Sequence, residues 1–211
     1  MPTVQGTDSF DHGFDVPADY DSVFGTPTAV TTPLYQDRLN SLEINSPGNE
    51  GVRKNITGSP VRGWSAFPLR VPSALPSGDV VTLGLQDAAS VPARIIVTSS
   101  GIYASLGASF VTATSFSVDT WHWVEMIYDV NDGTGIKKLY WRMDGTDKET
   151  VTLSSAASTV SFAQIVSLSG NASLTWYTGG YWVWGSAASS SDWLGEPSAF
   201  PGAGLHIQRS G

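Results

Sequence analysis

The residues best suited to chemistry in this sequence are aromatic, and they cluster near its end. Aromatic side chains can stack on the apolar faces of sugar rings or anchor a protein partner. The predicted binding residues are Trp176, Tyr181, Trp182, Trp184 and Trp193. Because side chains alternate along a strand, Trp182 and Trp184 should share one face and Val183 the other. Two interpretations stay open: an exposed surface that binds carbohydrate, or an apolar surface buried in the core or at a subunit interface.

Acid–base and nucleophilic catalysis find little support in the sequence. The histidines His12, His122 and His206 are widely spaced, and the sequence has neither a cysteine nor a Gly-x-Ser-x-Gly elbow. His122 lies in an aromatic strand, where we expect a packed core histidine. We interpret Glu125, four residues before Asp129, as a surface carboxylate. The chain is therefore predicted not to be an enzyme.

One segment carries oxygen ligands of the kind that Ca²⁺ prefers. The candidate calcium ligands are Asp129, Asn131 and Asp132, which precede Gly133. Their spacing falls short of an EF-hand loop. Asn-Asp-Gly is also typical of a tight hairpin turn, because Asn and Gly accept positive φ angles. We expect the turn, and we predict no cofactor.

The composition limits the classes of partner. The 211 residues include 11 Lys and Arg against 19 Asp and Glu, a net charge of −8, and no Cys. This charge repels nucleic-acid phosphates and anionic lipid, so neither is an expected partner. The first residues lack the basic and apolar regions of a secretory signal, and no apolar run approaches the roughly 20 residues of a membrane span. We expect the chain to fold in the cytoplasm of the cell that makes it.

Short alternating apolar stretches, separated by Gly and Pro turns, run through the sequence with almost no helical period. We predict about eleven to thirteen strands, including a hairpin of 94–98 with 102–106 and another of 121–129 with 137–143. A strand at 174–184 is followed by a loop at 186–194. The pattern predicts an all-β sandwich or jelly roll. Residues 1–36 are predicted to be a strand near 9–14 and an extended arm, part of or attached to the sandwich domain of 37–211.

Four segments, taken in order, resemble the concanavalin A-like lectin/glucanase superfamily, including laminin-G-like domains. They are Asp8-Ser9-Phe10-Asp11, the hairpin 94–97 with 102–104, Trp121-His122-Trp123-Val124-Glu125 with the later Met143-Asp144-Gly145, and the aromatic strand 177–184. The resemblance implies an antiparallel jelly-roll β-sandwich. Glucanases of the superfamily carry Glu-x-Asp-x-x-Glu on one strand. This sequence has no such motif, which argues against a glycan hydrolase or lyase.

The closing residues resemble the end of lectin-like domains in tailed-phage virion proteins. There a last strand runs into an Asp/Asn-x-Leu-Gly segment, here Asp192-Trp193-Leu194-Gly195. The resemblance implies a non-enzymatic bacteriophage structural protein, a capsid decoration or minor tail protein, located in the virion after synthesis in the host cytoplasm. Its expected partners are a viral capsid or tail protein and further copies of itself. The alternative is a lectin module that binds cell-surface glycan.

Overall fold

A computed structural model describes residues 2–8, 20–36, 40–46, 49–167, 173–179 and 182–195. Within these ranges the chain forms 17 β-strands and no helix. The strands are β1 (Thr3–Asp8), β2 (Ser22–Phe24), β3 (Thr28–Val30), β4 (Ser41–Ser46), β5 (Gly51–Asn55), β6 (Arg62–Arg70), β7 (Val80–Asp87), β8 (Pro92–Thr98), β9 (Gly101–Leu106), β10 (Ser109–Phe110), β11 (His122–Asp129), β12 (Ile136–Met143), β13 (Thr146–Asp147), β14 (Val151–Ser154), β15 (Val160–Val166), β16 (Leu174–Gly179) and β17 (Trp182–Ser186). None of the described residues belongs to a helix that could cross a membrane.

The described strands form two antiparallel sheets. The ten-stranded sheet follows the order β13-β12-β11-β6-β16-β4-β3, with β14 paired to β12, β17 to β6, and β1 to β17. The seven-stranded sheet follows the order β10-β9-β8-β7-β15-β5-β2. The predicted all-β sandwich is therefore confirmed.

The core lies between the inner faces of the two sheets. In β12 the buried positions alternate with half-buried ones, because every second side chain points inward. Its inward residues Leu139 and Trp141 join a cluster that includes Leu83 and Ile95 of the seven-stranded sheet. Burial of apolar surface from both sheets is what holds the layers together.

Both predicted hairpins are confirmed, and glycine supplies their turns. β8 and β9 pair from Ala93 with Leu106 to Thr98 with Gly101. Gly101 has φ +125°, and a Cβ there would lie 2.0 Å from the carbonyl oxygen of Thr114, so only glycine fits. The turn between β11 and β12 contains Gly133 at φ +84°.

Other predicted elements differ in detail. The predicted strand at 174–184 is divided into β16 and β17, which both pair with β6. The segment 186–194 contains no helix, as predicted. The strand predicted near 9–14 lies outside the described residues. In the described part of 1–36, β1 pairs with β17, β2 with β5 and β3 with β4, so this segment contributes to both sheets.

Candidate functional site

The closing aromatic strand does not form an exposed surface. Trp176 and Trp182 have 0 % exposure and Trp184 has 6 %, and all three belong to the core between the sheets. The predicted alternation is confirmed, since Val183 belongs to the apolar cluster on the opposite face. These tryptophans are therefore core residues, which agrees with the interpretation as buried core and corrects the prediction that they bind carbohydrate or form an interface. Tyr181 lies outside the described residues.

Trp193 belongs to a segment that covers part of the outer face of the ten-stranded sheet. Its ring lies 4.8 Å from the guanidinium carbon of Arg142, and it packs with Leu194 against Trp64, Trp123 and their neighbours. Trp193 is half-buried. Residues 187–195 therefore act as a cover on this half of the sheet, and we call them the C-terminal cover.

Glu125 anchors this cover, and its burial corrects the prediction of a surface carboxylate. Its side chain is 0 % exposed and forms an ion pair with Arg142. Its Oε1 accepts hydrogen bonds from the backbone N–H groups of Leu194 and Gly195, each at 3.1 Å. A buried carboxylate with a cation and two N–H donors is fully engaged inside the protein.

The candidate calcium ligands are hydrogen-bonded or ion-paired to other groups of the same chain. Asp129 Oδ2 accepts from Arg62 Nε at 2.6 Å, and its Oδ1 accepts from the backbone N–H of Asn131. Asp132 Oδ1 accepts from the backbone N–H of Thr134, and its Oδ2 lies 3.0 Å from Lys138 Nζ. These contacts are those of a polar hairpin turn. Over the described ranges, no group of three His, Asp or Glu side chains is arranged to hold a metal ion.

His122 is a packed core histidine, as predicted. It is 7 % exposed, and its ring lies 4.6 Å from that of Phe116. Its Nδ1 lies 2.6 Å from Asp144 Oδ2, and its Nε2 lies 3.1 Å from the carbonyl oxygen of Ser117. Burial alone lowers the pKa of His122, but the hydrogen bond and charge of Asp144 outweigh it and raise that pKa.

A feature not predicted from the sequence crosses the outer face of the seven-stranded sheet. One residue from each strand is the direct partner of the next, so their side chains share one face. We call this set the cross-strand row: Phe110, Ser105, Arg94, Gly84, Gln164, Arg53 and Ser22. Its members alternate with core residues such as Ala93, Ile95 and Ile165, which places the row outward.

Arg53 stands at one side of the row between two aromatic rings. Its guanidinium carbon lies 3.9 Å from the ring centroid of Phe162 and 5.0 Å from that of Phe24. Its Nη2 donates to Gln164 Oε1 at 3.2 Å, and its Nε is buried without a hydrogen bond. Among the described residues no carboxylate pairs with Arg53. Burial lowers the pKa of the guanidinium, because removal from water disfavours its charge.

Arg94 stands three strands away, at about 14 Å for ordinary strand spacing. In the described part of the chain its side chain makes no hydrogen bond or ion pair, and its Nε is buried without a partner. Burial lowers the pKa of this guanidinium as well. The face thus carries two half-buried positive charges that no described carboxylate neutralises.

The far end of the row is apolar and open. Phe110 on the edge strand β10 is 73 % exposed, the largest exposure among the large apolar side chains described. Its ring lies 6.2 Å from that of Tyr103, which belongs to the same face. Exposed aromatic rings beside N–H donors can take a ligand that is apolar on its faces and polar at its edges.

The other half of the ten-stranded sheet carries a different row, whose described charged side chains have partners within the chain. Thr28, Glu43, Tyr177 and Arg70 are successive cross-strand partners. Arg70 is ion-paired with Asp119. Burial, together with the hydrogen bond and charge of Glu43, raises the pKa of Tyr177. We call this the paired polar row. A separate depression of about 290 Å³ is lined by 72–77 and 173–175.

Comparison with known proteins identifies the fold. No protein-family model matches the sequence, and no curated protein matches it either. Among solved structures, "Cellulose induced protein, Cip1" has a TM-score of 0.63 at 15 % identity, covering 85 % of this chain and 96 % of that one. Alginate lyase vAL-1 from Chlorella virus has a TM-score of 0.60 at 12 % identity, covering 86 % and 99 %.

The receptor-binding domain of botulinum neurotoxin type G has a TM-score of 0.53 at 8 % identity, covering 80 % of this chain and 44 % of that one. At such identities the likeness establishes architecture and not activity. The chain shares the jelly-roll β-sandwich fold of these structures.

Proposed function

We propose that the protein binds an extended polysaccharide across the outer face of the seven-stranded sheet. The observation that carries this proposal is the cross-strand row, which aligns an exposed aromatic ring, two arginines and an amide on one face. Six strand spacings give the row a span of about 29 Å, enough for several sugar rings. The row therefore fits a chain-like ligand laid perpendicular to the strands.

The chemistry of the row suits a carbohydrate. The apolar faces of sugar rings stack on aromatic side chains, here Phe110 at one end and the Phe24 and Phe162 rings around Arg53 at the other. Sugar hydroxyls accept hydrogen bonds from guanidinium and amide N–H groups between these ends. A few fixed donors among apolar groups are the usual composition of a ligand site.

We also propose that the protein binds its polysaccharide without cleaving it. Glycoside hydrolysis ordinarily uses two carboxyl groups that flank the bond to be broken. The seven residues of the row include neither a carboxylate nor a histidine. Tyr103, beside the row, donates to Asp79 at 2.7 Å, and burial with this contact raises its pKa, which disfavours a role as a base.

A place in a bacteriophage virion, with a capsid or tail protein and further copies of the chain as partners, stays a prediction from the closing sequence. The solved structures compared lend it no support. It is compatible with glycan binding, because a virion that attaches to a cell surface needs such a protein. Detection of the chain in purified virions would support this prediction, and its absence from them would contradict it.

Phe110→Ala tests the proposed site, because the residue is exposed and its loss should leave the fold intact. Wild type and variant are screened on an array of polysaccharides, and hits are measured by calorimetry. We expect about tenfold weaker binding, the effect of losing one aromatic anchor. Val61→Ala is the matched control, since Val61 is 40 % exposed and lies outside the row.

Two results would contradict the proposal. The first is an array on which no polysaccharide binds. The second is a Phe110→Ala variant that binds as tightly as Val61→Ala. Shortened chains after incubation with the bound polysaccharide would contradict its non-enzymatic part alone.

A further inference from the structure

The centre of the cross-strand row is a gap bordered by N–H donors. Gly84 lies between Arg94 on β8 and Gln164 on β15 and contributes no side chain. A Cβ at Gly84 would lie 3.2 Å from Gln164 Nε2, a tight contact. Glycine at this position therefore leaves room for a small group of a ligand above the strand.

The orientation of the Gln164 amide is fixed by its neighbour. Arg53 Nη2 lies 3.2 Å from Gln164 Oε1, and a guanidinium can only donate hydrogen bonds. The carbonyl oxygen must therefore face Arg53, which leaves the amide NH₂ on the side of Gly84. Gln164 is 7 % exposed, so its surroundings hold this orientation. Gln164 therefore presents an N–H donor and no acceptor to the gap.

The opposite side of the gap is lined by Arg94. This guanidinium is half-buried and has no hydrogen bond or ion pair among the described residues. Arginines in such places usually pair with a carboxylate, because an unpaired charge removed from water is costly. The chain has 19 acidic residues, yet none of those described forms an ion pair with Arg94. The described residues therefore leave this charge without a counter-charge, which a bound ligand can supply.

We propose that this gap is an anion subsite, in which Arg94 and the Gln164 amide hold a carboxylate or sulfate group of the bound sugar over Gly84. The inference rests on the proposed function and narrows it to acidic polysaccharides. Charge-assisted hydrogen bonds from a guanidinium are stronger than neutral ones, so the acidic group should dominate the affinity. The net charge of −8 makes the recognition local, because the rest of the surface repels a polyanion.

Small sugars test the subsite separately from polysaccharide binding. The protein labelled with ¹⁵N is titrated with glucuronate, glucose 6-sulfate and glucose at equal ionic strength. We expect the Gly84 amide and Arg94 Nε–H signals to move with one or both acidic sugars and to stay fixed with glucose. A response to glucuronate alone would identify the bound group as a carboxylate. A response to glucose 6-sulfate alone would identify it as a sulfate ester. Equal responses to all three sugars, or none, would overturn the subsite.

Arg94→Gln tests the contribution of the charge, with Arg70→Gln as the matched control. Both changes remove one positive charge, but Arg70 lies on the other sheet and is paired with Asp119. An acidic polysaccharide should bind Arg94→Gln at least about tenfold more weakly than Arg70→Gln. Arg94→Lys should recover part of the loss, since Lys keeps the charge but not the fork of donors.

The two proposals fail in distinguishable ways. If a polyuronate and its carboxyl-reduced counterpart bind equally, and Arg94→Gln binds as Arg70→Gln does, the anion subsite is wrong and the proposed function stands. If no polysaccharide binds but the acidic sugars still move the Gly84 and Arg94 signals, the subsite stands and the proposed function is wrong.

Discussion

Lys137 and Asp87 form an ion pair between the two sheets, and both side chains are completely buried. Lys137 lies on β12 of the ten-stranded sheet, and Asp87 lies at the end of β7 in the other. Asp87 Oδ2 also accepts from the hydroxyl of Tyr128 at 3.0 Å, and its Oδ1 accepts from the backbone N–H of Val91 at 2.8 Å. This polar contact ties the sheets at one place, since a shift between them would leave both charges unpaired.

Lys137→Met should destabilise the fold by about 3–5 kcal/mol, because it leaves the Asp87 carboxylate buried without its cation. Urea unfolding measures the change. Lys137→Met combined with Asp87→Asn should recover most of the loss, since neither charge then remains in the core. Asp119→Asn is the surface control: Asp119 is paired with Arg70 but 66 % exposed, so we expect a change within about 1 kcal/mol. A Lys137→Met effect as small as that of the control would show that the pair is not buried as described.

We expect Trp182→Ala to lower the free energy of unfolding and not to affect ligand binding alone. Trp182 packs 4.6 Å from the Trp184 ring and donates from Nε1 to Ser65 Oγ at 3.0 Å. Removal of a buried tryptophan costs about 3–5 kcal/mol. Phe110→Ala should change the stability by no more than about 0.5 kcal/mol, because that ring is exposed. A Trp182→Ala variant of wild-type stability that had lost glycan binding would restore the interpretation of Trp182 as a surface residue.

Glu125→Gln should release the C-terminal cover. The change removes the partner of Arg142 and weakens the acceptor for the Leu194 and Gly195 N–H groups. We expect a loss of about 3 kcal/mol and faster hydrogen exchange at these two amides, measured by NMR. Glu149→Gln, a change at an exposed glutamate, is the control. Unchanged exchange at both amides would show that Glu125 does not hold the segment.

The contact between His122 and Asp144 predicts how stability depends on pH. The pKa of His122 is raised in the fold. It therefore gives stability that is fully present below the unfolded pKa of about 6.5 and is lost as the pH rises through the folded pKa. The pKa of Asp144 is lowered in the fold. It therefore gives stability that is present above the unfolded pKa of about 3.9 and is lost as the pH falls through the folded pKa. The difference in unfolding free energy between wild type and His122→Gln should therefore be larger at pH 5 than at pH 8.5. A difference independent of pH would contradict the charged pair.

Local patterns in the sequence were sufficient for the strands and hairpins. Gly101 and the Asn131-Asp132-Gly133 turn mark chain reversals that depend only on neighbouring residues. The alternation of Trp182, Val183 and Trp184 likewise predicted two opposite faces. It could not say which face lies in the core, because that depends on the sheet packed against it.

The candidate site depends on contacts between residues distant in sequence, which is why it was missed. Arg53 and Gln164 are 111 positions apart and meet only because β5 pairs with β15. A single arginine between Ala93 and Ile95 marks an outward position, but its missing partner becomes evident only in the folded chain. The burial of Glu125 is likewise not evident from its neighbours in sequence, since it comes from residues 187–195, far along the chain.

Mapping of the bound polysaccharide by NMR shows which sheet carries the binding face. The ¹⁵N-labelled protein is titrated with the tightest polysaccharide from the array, and the amide signals that move are placed on the structure. We expect these signals to follow the cross-strand row from Phe110 through Gly84 to Arg53. Signals that move instead along the paired polar row, at Glu43, Tyr177 and Arg70, would place the ligand on the other sheet and contradict the proposed function.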